Sequence, residues 1–320
     1  MEKDVKDFKG FYFKSKIILV DDNESFLDNL SFKLSNSYTV ETFSDPEKAK
    51  EAIISSYEND ITSVTQNFLT EIENEDEEAH YSVDFSKIIS LSENENKKET
   101  VSVVIVDYSM PLINGIEFCK KIAHLPILKI ILTGYADFKV AVDAFNEGII
   151  DRFLVKDSPL MLEETIKEIN AMQELFFEKL SYPLLPHFSV KRETLLTSKE
   201  YIGHFNEIIH NINACEFYLF NPLGSYLLLD EKGSKFYFIV LLDKQLDEYI
   251  DLAKDMNADP ELIKRMIVRT HAPIFIEEND YKLPVSDWNC LLQPLQKANG
   301  YYYCVLSGEL RNTTKLANVI

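Results

Sequence analysis

Three aspartates, a threonine and a lysine stand where successive apolar runs end. Asp21 and Asp22 follow "KIILV", Asp107 follows "VSVVIV", Thr133 closes "ILKIILT", and Lys156 follows "FLV". A carboxylate at the end of a buried apolar run is costly unless something there pairs with it or uses it. Three carboxylates brought together repel, unless a hard cation such as Mg²⁺ sits among their oxygens. Each residue alone has a plain explanation: an Asp-Asp pair is commonly a helix cap, and a Thr or Lys after a strand is usually surface. All five at the ends of four of the strands point to one site.

The elements that must position them alternate. Residues 16–20 read as a buried strand, and "NESFLDNLSFKL" follows with Phe26, Leu27, Leu30 and Leu34 on one helical face. "SYTVETF" is the next strand. Asp45 then caps a helix that has Pro46 in its first turn. The series continues through "VSVVIV", a helix near 115–124, "ILKIILT", a helix near 136–148 and "DRFLV". A long helix from about 159 carries Leu162, Ile166, Ile169 and Met172 as its apolar stripe. Such alternation predicts a doubly wound α/β fold, a parallel five-stranded sheet with helices on both faces. In an open sheet of this kind, functional groups collect beyond the carboxyl ends of the strands.

The order "LVDD", "VVIVDYSMPLING", "IILTGYAD" and "FLVKD" resembles the receiver domains of two-component response regulators, the CheY-like family. The resemblance spans roughly residues 15–178, and its most specific piece is Asp107 followed by Met110, Pro111 and Gly115. It implies that Asp107 is the phosphoacceptor. Asp21, Asp22 and Asp107 would hold Mg²⁺ with the backbone carbonyl of Ser109. Thr133 would hydrogen-bond the phosphoryl group, Lys156 would pair with it, and Phe153 would be the switch aromatic. The implied partners are a sensor histidine kinase or phosphotransfer protein, with a homodimer through the receiver. Catalysis would be limited to self-phosphotransfer and autodephosphorylation, so an enzyme in the ordinary sense is not expected.

Two features depart from the family pattern. Residues 58–99 carry 12 acids against 3 bases and stretch the spacing from Asp22 to Asp107 to 85 positions. They read as a flexible acidic insertion or a small surface helix, since a block of like charge repels itself. Asp157 stands after Lys156 where the family usually has proline, which bears on how long a phosphoryl group would persist.

A boundary falls near "SYPLLPHF", where prolines stop the long helix. The expected domains are a receiver over 1–182 and an output domain over 183–320. The latter reads as a smaller α+β domain on an antiparallel sheet. "ACEFYLFN", "GSYLLLD" and "KFYFIVLL" are strands, helices follow near 244–256 and 260–269, and "APIFI" and "GYYYCVLSGEL" are later strands. This half resembles an uncharacterised module that follows receivers in some regulators. The whole arrangement resembles a quorum-sensing response regulator. His204 and His210 fall on a helix in ordinary surface or packing roles. Lys264, Arg265 and Arg269 give the 260–269 helix a basic face.

Charge bounds the partners. The 320 residues carry 53 acids and 33 bases, net −20, which opposes a mainly nucleic-acid-binding role. Residues 183–320 hold 18 acids and 14 bases, so DNA contact through that half is disfavoured. The alternatives are a transcription regulator with an unusual DNA-binding module, and a receiver acting only as a protein-interaction module. No run of 18 apolar residues occurs, so no membrane span is expected. The start lacks a basic-then-apolar leader, and the four scattered cysteines suit free, buried thiols in a reducing cytoplasm. In "ELFFEKLSYP", Leu175, Phe176, Phe177 and Leu180 cover more than one side of the helix. That pattern asks for a second surface, either a partner chain or the second domain.

Overall fold

The computed structural model describes residues 8–58, 68–72, 80–134, 137–188, 195–277 and 279–308. Residues 6–188 form one compact unit, and the chain from 189 onward belongs to another.

The first unit opens with β1 (Lys16–Val20) and α1 (Glu24–Leu34). The Asn23 side chain caps α1 by accepting from the Phe26 amide, and the helix buries Leu27, Leu30 and Leu34. After β2 (Thr39–Phe43), Asp45 accepts from the Glu47 amide at the start of α2 (Pro46–Glu58). β3 (Leu69–Ile72) and β4 (His80–Val83) pair antiparallel, and Asp84 caps the short α3 (Phe85–Ser90). Then come β5 (Val101–Asp107), α4 (Gly115–Lys121), β6 (Leu128–Thr133), α5 (Phe138–Asn146), β7 (Arg152–Val155) and α6 (Met161–Ser181). The five-stranded sheet runs β2-β1-β5-β6-β7, every pair parallel. This is the doubly wound order, with its switch point between β1 and β5. β5 is buried along its whole length, as a central parallel strand must be. Ile18, Val20, Val104, Val106 and Ile131 pack with Phe118 and Cys119 of α4.

The described residues of the acidic insertion include several that pack apolar side chains. Residues 59–67 and 73–79, which hold most of the "EIENEDEEAH" run, lie outside the described residues. Between and after them, Phe68, Ile88 and Leu91 are buried, and the Phe68 ring meets Phe11 edge-on at 5.6 Å. Phe85 stacks on Phe188 at 5.9 Å, and Glu99 pairs with Lys16 at 2.5 Å. The acids dominate the local composition, whereas a few isolated apolar residues carry the packing.

The same region changes the reading of the long helix. Phe176 and Phe177 are both fully buried. Phe177 packs against Phe13 at 4.8 Å, Tyr12 at 5.0 Å and Phe11 at 5.8 Å. The Gly10 amide donates to the Ser181 hydroxyl at 2.8 Å. The second surface expected for this helix is thus met by the segment ahead of β1, so these two rings are not free for a partner chain.

The second unit places α7 (Lys199–Ile212) before β8 (Ala214–Leu219), β9 (Tyr226–Asp230) and β10 (Lys235–Leu241). α8 (Asp243–Asp255) and α9 (Pro260–Ile267) follow, then β11 (His271–Pro273), β12 (Leu292–Pro294), β13 (Gln296–Ala298) and β14 (Tyr301–Ser307). The antiparallel sheet runs β8-β9-β10-β14-β13, and β11 pairs with β12. Tyr201 and Phe205 of α7 pack on Phe217, Tyr226 and Phe238 of the sheet. A separate cluster joins Tyr249, Phe275 and Trp288. No disulfide joins the four cysteines; Cys119 and Cys304 are buried, while Cys290 is exposed, against the expectation of buried thiols throughout.

Candidate functional site

The sheet brings the strand-end residues to one edge. Asp21 follows β1, and its amide donates to the Phe43 carbonyl at 3.2 Å, so the β1–β2 ladder fixes its backbone. Asp107 ends β5 opposite Leu132, one residue before Thr133. The Lys156 amide donates to the Thr133 carbonyl at 2.9 Å, which ties the lysine to the end of β6.

The side chains converge. Carboxylate oxygens of Asp21, Asp22 and Asp107 all lie within 4.8 Å of one another, with Asp21 and Asp107 buried and Asp22 exposed. The Lys156 ammonium donates to Asp21 Oδ2 at 2.5 Å and to Asp107 Oδ1 at 2.9 Å. The Ser109 amide donates to the other Asp107 oxygen at 2.9 Å, and the Asn23 amide to the second Asp21 oxygen at 2.9 Å. Ser109 therefore lies in the loop that carries Asp107, and its hydroxyl approaches Asp137 at 3.5 Å.

Gly115 explains the shape of that loop. A Cβ there would stand 2.4 Å from the Asp107 carbonyl oxygen and 2.9 Å from Ile131, so only glycine lets α4 start against the strand end. Between them the backbone turns through Leu112 at φ 71°, a left-handed conformation that is unfavourable for a residue with a side chain.

Burial and the Lys156 bonds set the electrostatics of the site. Burial pushes the Asp21 carboxyl above its ordinary range, despite the Lys156 and Asn23 hydrogen bonds, and Asp107 pushes the same way. Burial works against the Lys156 charge, but the bonds to Asp21 and Asp107 outweigh it and hold the ammonium above its ordinary range. A simple pair would lower the acid as it raised the base. Both rise here because burial outweighs the Lys156 bond at Asp21, whereas the bonds to Asp21 and Asp107 outweigh burial at Lys156. An all-oxygen donor set with excess negative charge fits a hard divalent cation such as Mg²⁺.

Thr133 is fully buried, and its hydroxyl donates to the Gly134 carbonyl at 3.1 Å. Phe153, on β7, is half-buried between Phe138 at 5.2 Å and Phe145 at 6.1 Å. One neighbour was hidden by the sequence pattern. Phe26 shares the α1 face of Leu27, Leu30 and Leu34, yet its ring stands over the Lys156 ammonium at 4.3 Å. The only hint was its place in the first helical turn, directly after the Asp21-Asp22 pair.

The family model of the response regulator receiver domain matches residues 58–167. The chain carries a response regulator receiver domain. The matched stretch contains Asp107, Ser109, Thr133, Phe153 and Lys156 but begins downstream of Asp21 and Asp22, which the receiver fold returns to the same edge. Among solved structures, the chain is similar to the Legionella pneumophila response regulator LqsR. That match has 27% identity and a TM-score of 0.74, and it covers 94% of this chain and 89% of that one. A signal receiver domain from Pseudomonas fluorescens Pf-5 is 22% identical, covering 52% of this chain and 91% of that one with a TM-score of 0.34. A CheY-like receiver domain protein from Methanospirillum hungatei JF-1 is 18% identical, covering 52% and 98% with a TM-score of 0.32. None of the curated proteins compared matches the chain.

Outside the receiver, the basic face expected on α9 is neutralised by its neighbours. Arg269 pairs with Asp243 at 3.2 Å and Asp247 at 2.5 Å, and Lys264 and Arg265 both pair with Glu261. His204 bonds the Tyr301 hydroxyl at 2.5 Å and packs on Tyr303 and Phe238. Among the described residues, no helix is long and apolar enough to cross a membrane.

Proposed function

We propose that this chain is a two-component response regulator whose Asp107 accepts a phosphoryl group from a histidine kinase or phosphotransfer protein. The observation that carries this reading is the cluster of three carboxylates whose ammonium partner, Lys156, bonds the proposed nucleophile directly. Asp21, Asp22, Asp107 and the Ser109 carbonyl would hold Mg²⁺, which would supply positive charge to the incoming phosphoryl oxygens. An oxygen of Asp107 forms the new O–P bond as the bond to the donor nitrogen breaks, and the leaving imidazole takes up a proton. Phosphoryl transfer depends mainly on positioning and charge neutralisation. The Ser109 amide, which already holds one Asp107 oxygen, leaves the other to react. Lys156 would then move its ammonium from carboxylate to phosphoryl oxygen. Hydrolysis of the acyl phosphate by water would return the carboxylate, so catalysis extends only to self-phosphotransfer and autodephosphorylation.

Switching would follow from Thr133. In turning its hydroxyl from Gly134 to a phosphoryl oxygen it would draw the loop after β6 inward. Phe153 would follow and loosen its contacts with Phe138 and Phe145. The neutralised face of α9 supports signalling through protein contacts over DNA reading. The resemblance of the whole arrangement to a quorum-sensing response regulator supports that context in the cytoplasm.

The direct test incubates the full chain with acetyl phosphate, with and without Mg²⁺, and reads intact mass. One added phosphoryl group that requires Mg²⁺ is the expected result. No addition under either condition, with a cognate kinase also tried, would leave the receiver a protein-interaction module.

A homodimer through the receiver belongs to the same proposal, on a different surface from the end of α6. Phe138, Phe145 and Leu160 are large apolar residues left exposed around the β7 side of the unit, and such rims favour a self-complementary contact. Light scattering at tens of micromolar should show a dimer that tightens with a phosphoryl mimic. A monomer in both states excludes it.

A further inference from the structure

Lys156 is held on three sides. Two are the Asp21 and Asp107 carboxylates at 2.5 and 2.9 Å, and the third is the Phe26 ring, whose centroid lies 4.3 Å from the ammonium nitrogen. The origin of that ring is fixed, because the Phe26 amide donates to the Asn23 side chain at 3.1 Å as part of the α1 cap. A lysine ammonium on a four-carbon stem readily swings out to water. The face of a phenyl ring carries partial negative charge and attracts a cation within about 6 Å, most strongly where water is excluded. Lys156 is three-quarters buried at its side chain, so that attraction acts in a partly desolvated place.

We propose that Phe26 is a positioning residue for Lys156, its ring keeping the ammonium seated on Asp21 and Asp107. This rests on the reading that those carboxylates also bind Mg²⁺. Two cations then share one set of oxygens. A firmly seated ammonium weakens Mg²⁺ binding before phosphorylation and stands ready to meet the phosphoryl group afterwards. Removing the ring face frees the ammonium to leave. Mg²⁺ should then bind more tightly while phosphoryl uptake slows. A loss of packing alone would weaken both together.

The experiment is a double-mutant cycle on the full chain, read by calorimetric titration with Mg²⁺ and by the rate of phosphoryl uptake from acetyl phosphate. Phe26→Leu keeps an apolar side chain without the ring face. It should tighten Mg²⁺ binding about three- to tenfold, the scale of a partly desolvated cation–ring contact, and slow phosphoryl uptake by a similar factor. Phe26→Tyr, which keeps the face, should match the parent in both. In a Lys156→Gln background, Phe26→Leu should leave Mg²⁺ affinity unchanged. An equal change in both backgrounds, or none with Lys156 present, overturns the assignment, as does a parent chain that binds no Mg²⁺. If the parent binds Mg²⁺ but takes up no phosphoryl group, the phosphoacceptor reading fails while the cycle still reads the Phe26–Lys156 coupling.

Discussion

An Asp107→Asn chain should take up no phosphoryl group and yet melt at the same temperature as the parent, or slightly above it. The amide oxygen has no charge to spend on phosphorus, so the loss of uptake is complete. Stability moves the other way because of what surrounds the residue. Asp107 sits within 4.8 Å of two other carboxylates and shares a single ammonium with Asp21. Like charges at such separations repel by about 3–4 kcal/mol at an effective dielectric of about 20. An asparagine at this position still offers an oxygen to the Ser109 amide or to Lys156. Relief of repulsion therefore roughly balances or exceeds the lost ion pair, for a net gain of about 0–2 kcal/mol in metal-free buffer. Thermal melts beside intact-mass measurements decide the matter. Phosphoryl retention in the variant would place the acceptor elsewhere, and a loss above about 3 kcal/mol would make Asp107 a structural anchor.

Phe68→Ala should destabilise the receiver unit by about 3–5 kcal/mol, the usual cost of emptying a buried phenyl site. The residue lies inside the acidic stretch, fully buried, with its ring against Phe11. Phe11 in turn meets Phe177 at 5.8 Å, so the cavity opens in a layer that covers the end of α6. A domain stability of about 5–15 kcal/mol is typical, so such a loss is a large share of the total. Urea unfolding followed by far-ultraviolet circular dichroism reads it directly. Neutralising the exposed acid Glu95 serves as the control and should change stability by less than about 0.5 kcal/mol. If both variants behave like the control, the insertion is a solvated loop after all.

The five strand-end residues were legible because their signals are local. Each polar residue closes an apolar run, and the alternating parallel topology puts all such ends on one edge. Asn23, Asp45 and Pro46 mark their helix starts for the same reason, acting within one turn. What escaped depends on contacts far apart in the chain. Phe68, Ile88 and Leu91 are single apolar residues in an acidic stretch, and nothing nearby says that Phe11 waits for one of them. The excess apolar surface at the end of α6 was visible in "ELFF". Its cover was not, because Phe11 and Phe13 precede β1 by only a few residues and form no period. Phe26 was placed on the right helical face, but a helix face does not reveal that its first turn overhangs a lysine from β7's end. In the second unit strand order followed from alternation, whereas the neutralised charges of α9 required knowing that Arg269 folds back on α8.

The Phe8 ring meets Phe188 edge-on at 5.9 Å, so the receiver unit begins and ends at one place. A fold with its two ends touching is a cassette. It can be spliced into a surface loop of another protein without stretching the host, or rejoined end to end and reopened elsewhere as a circular permutant. The cut points follow from the same contact: a graft must carry residues 8–188, since one begun at β1 would leave Phe177 bare. For anyone building biosensors, the closed seam makes the unit's natural ends the wrong place to look for a large change in reporter distance.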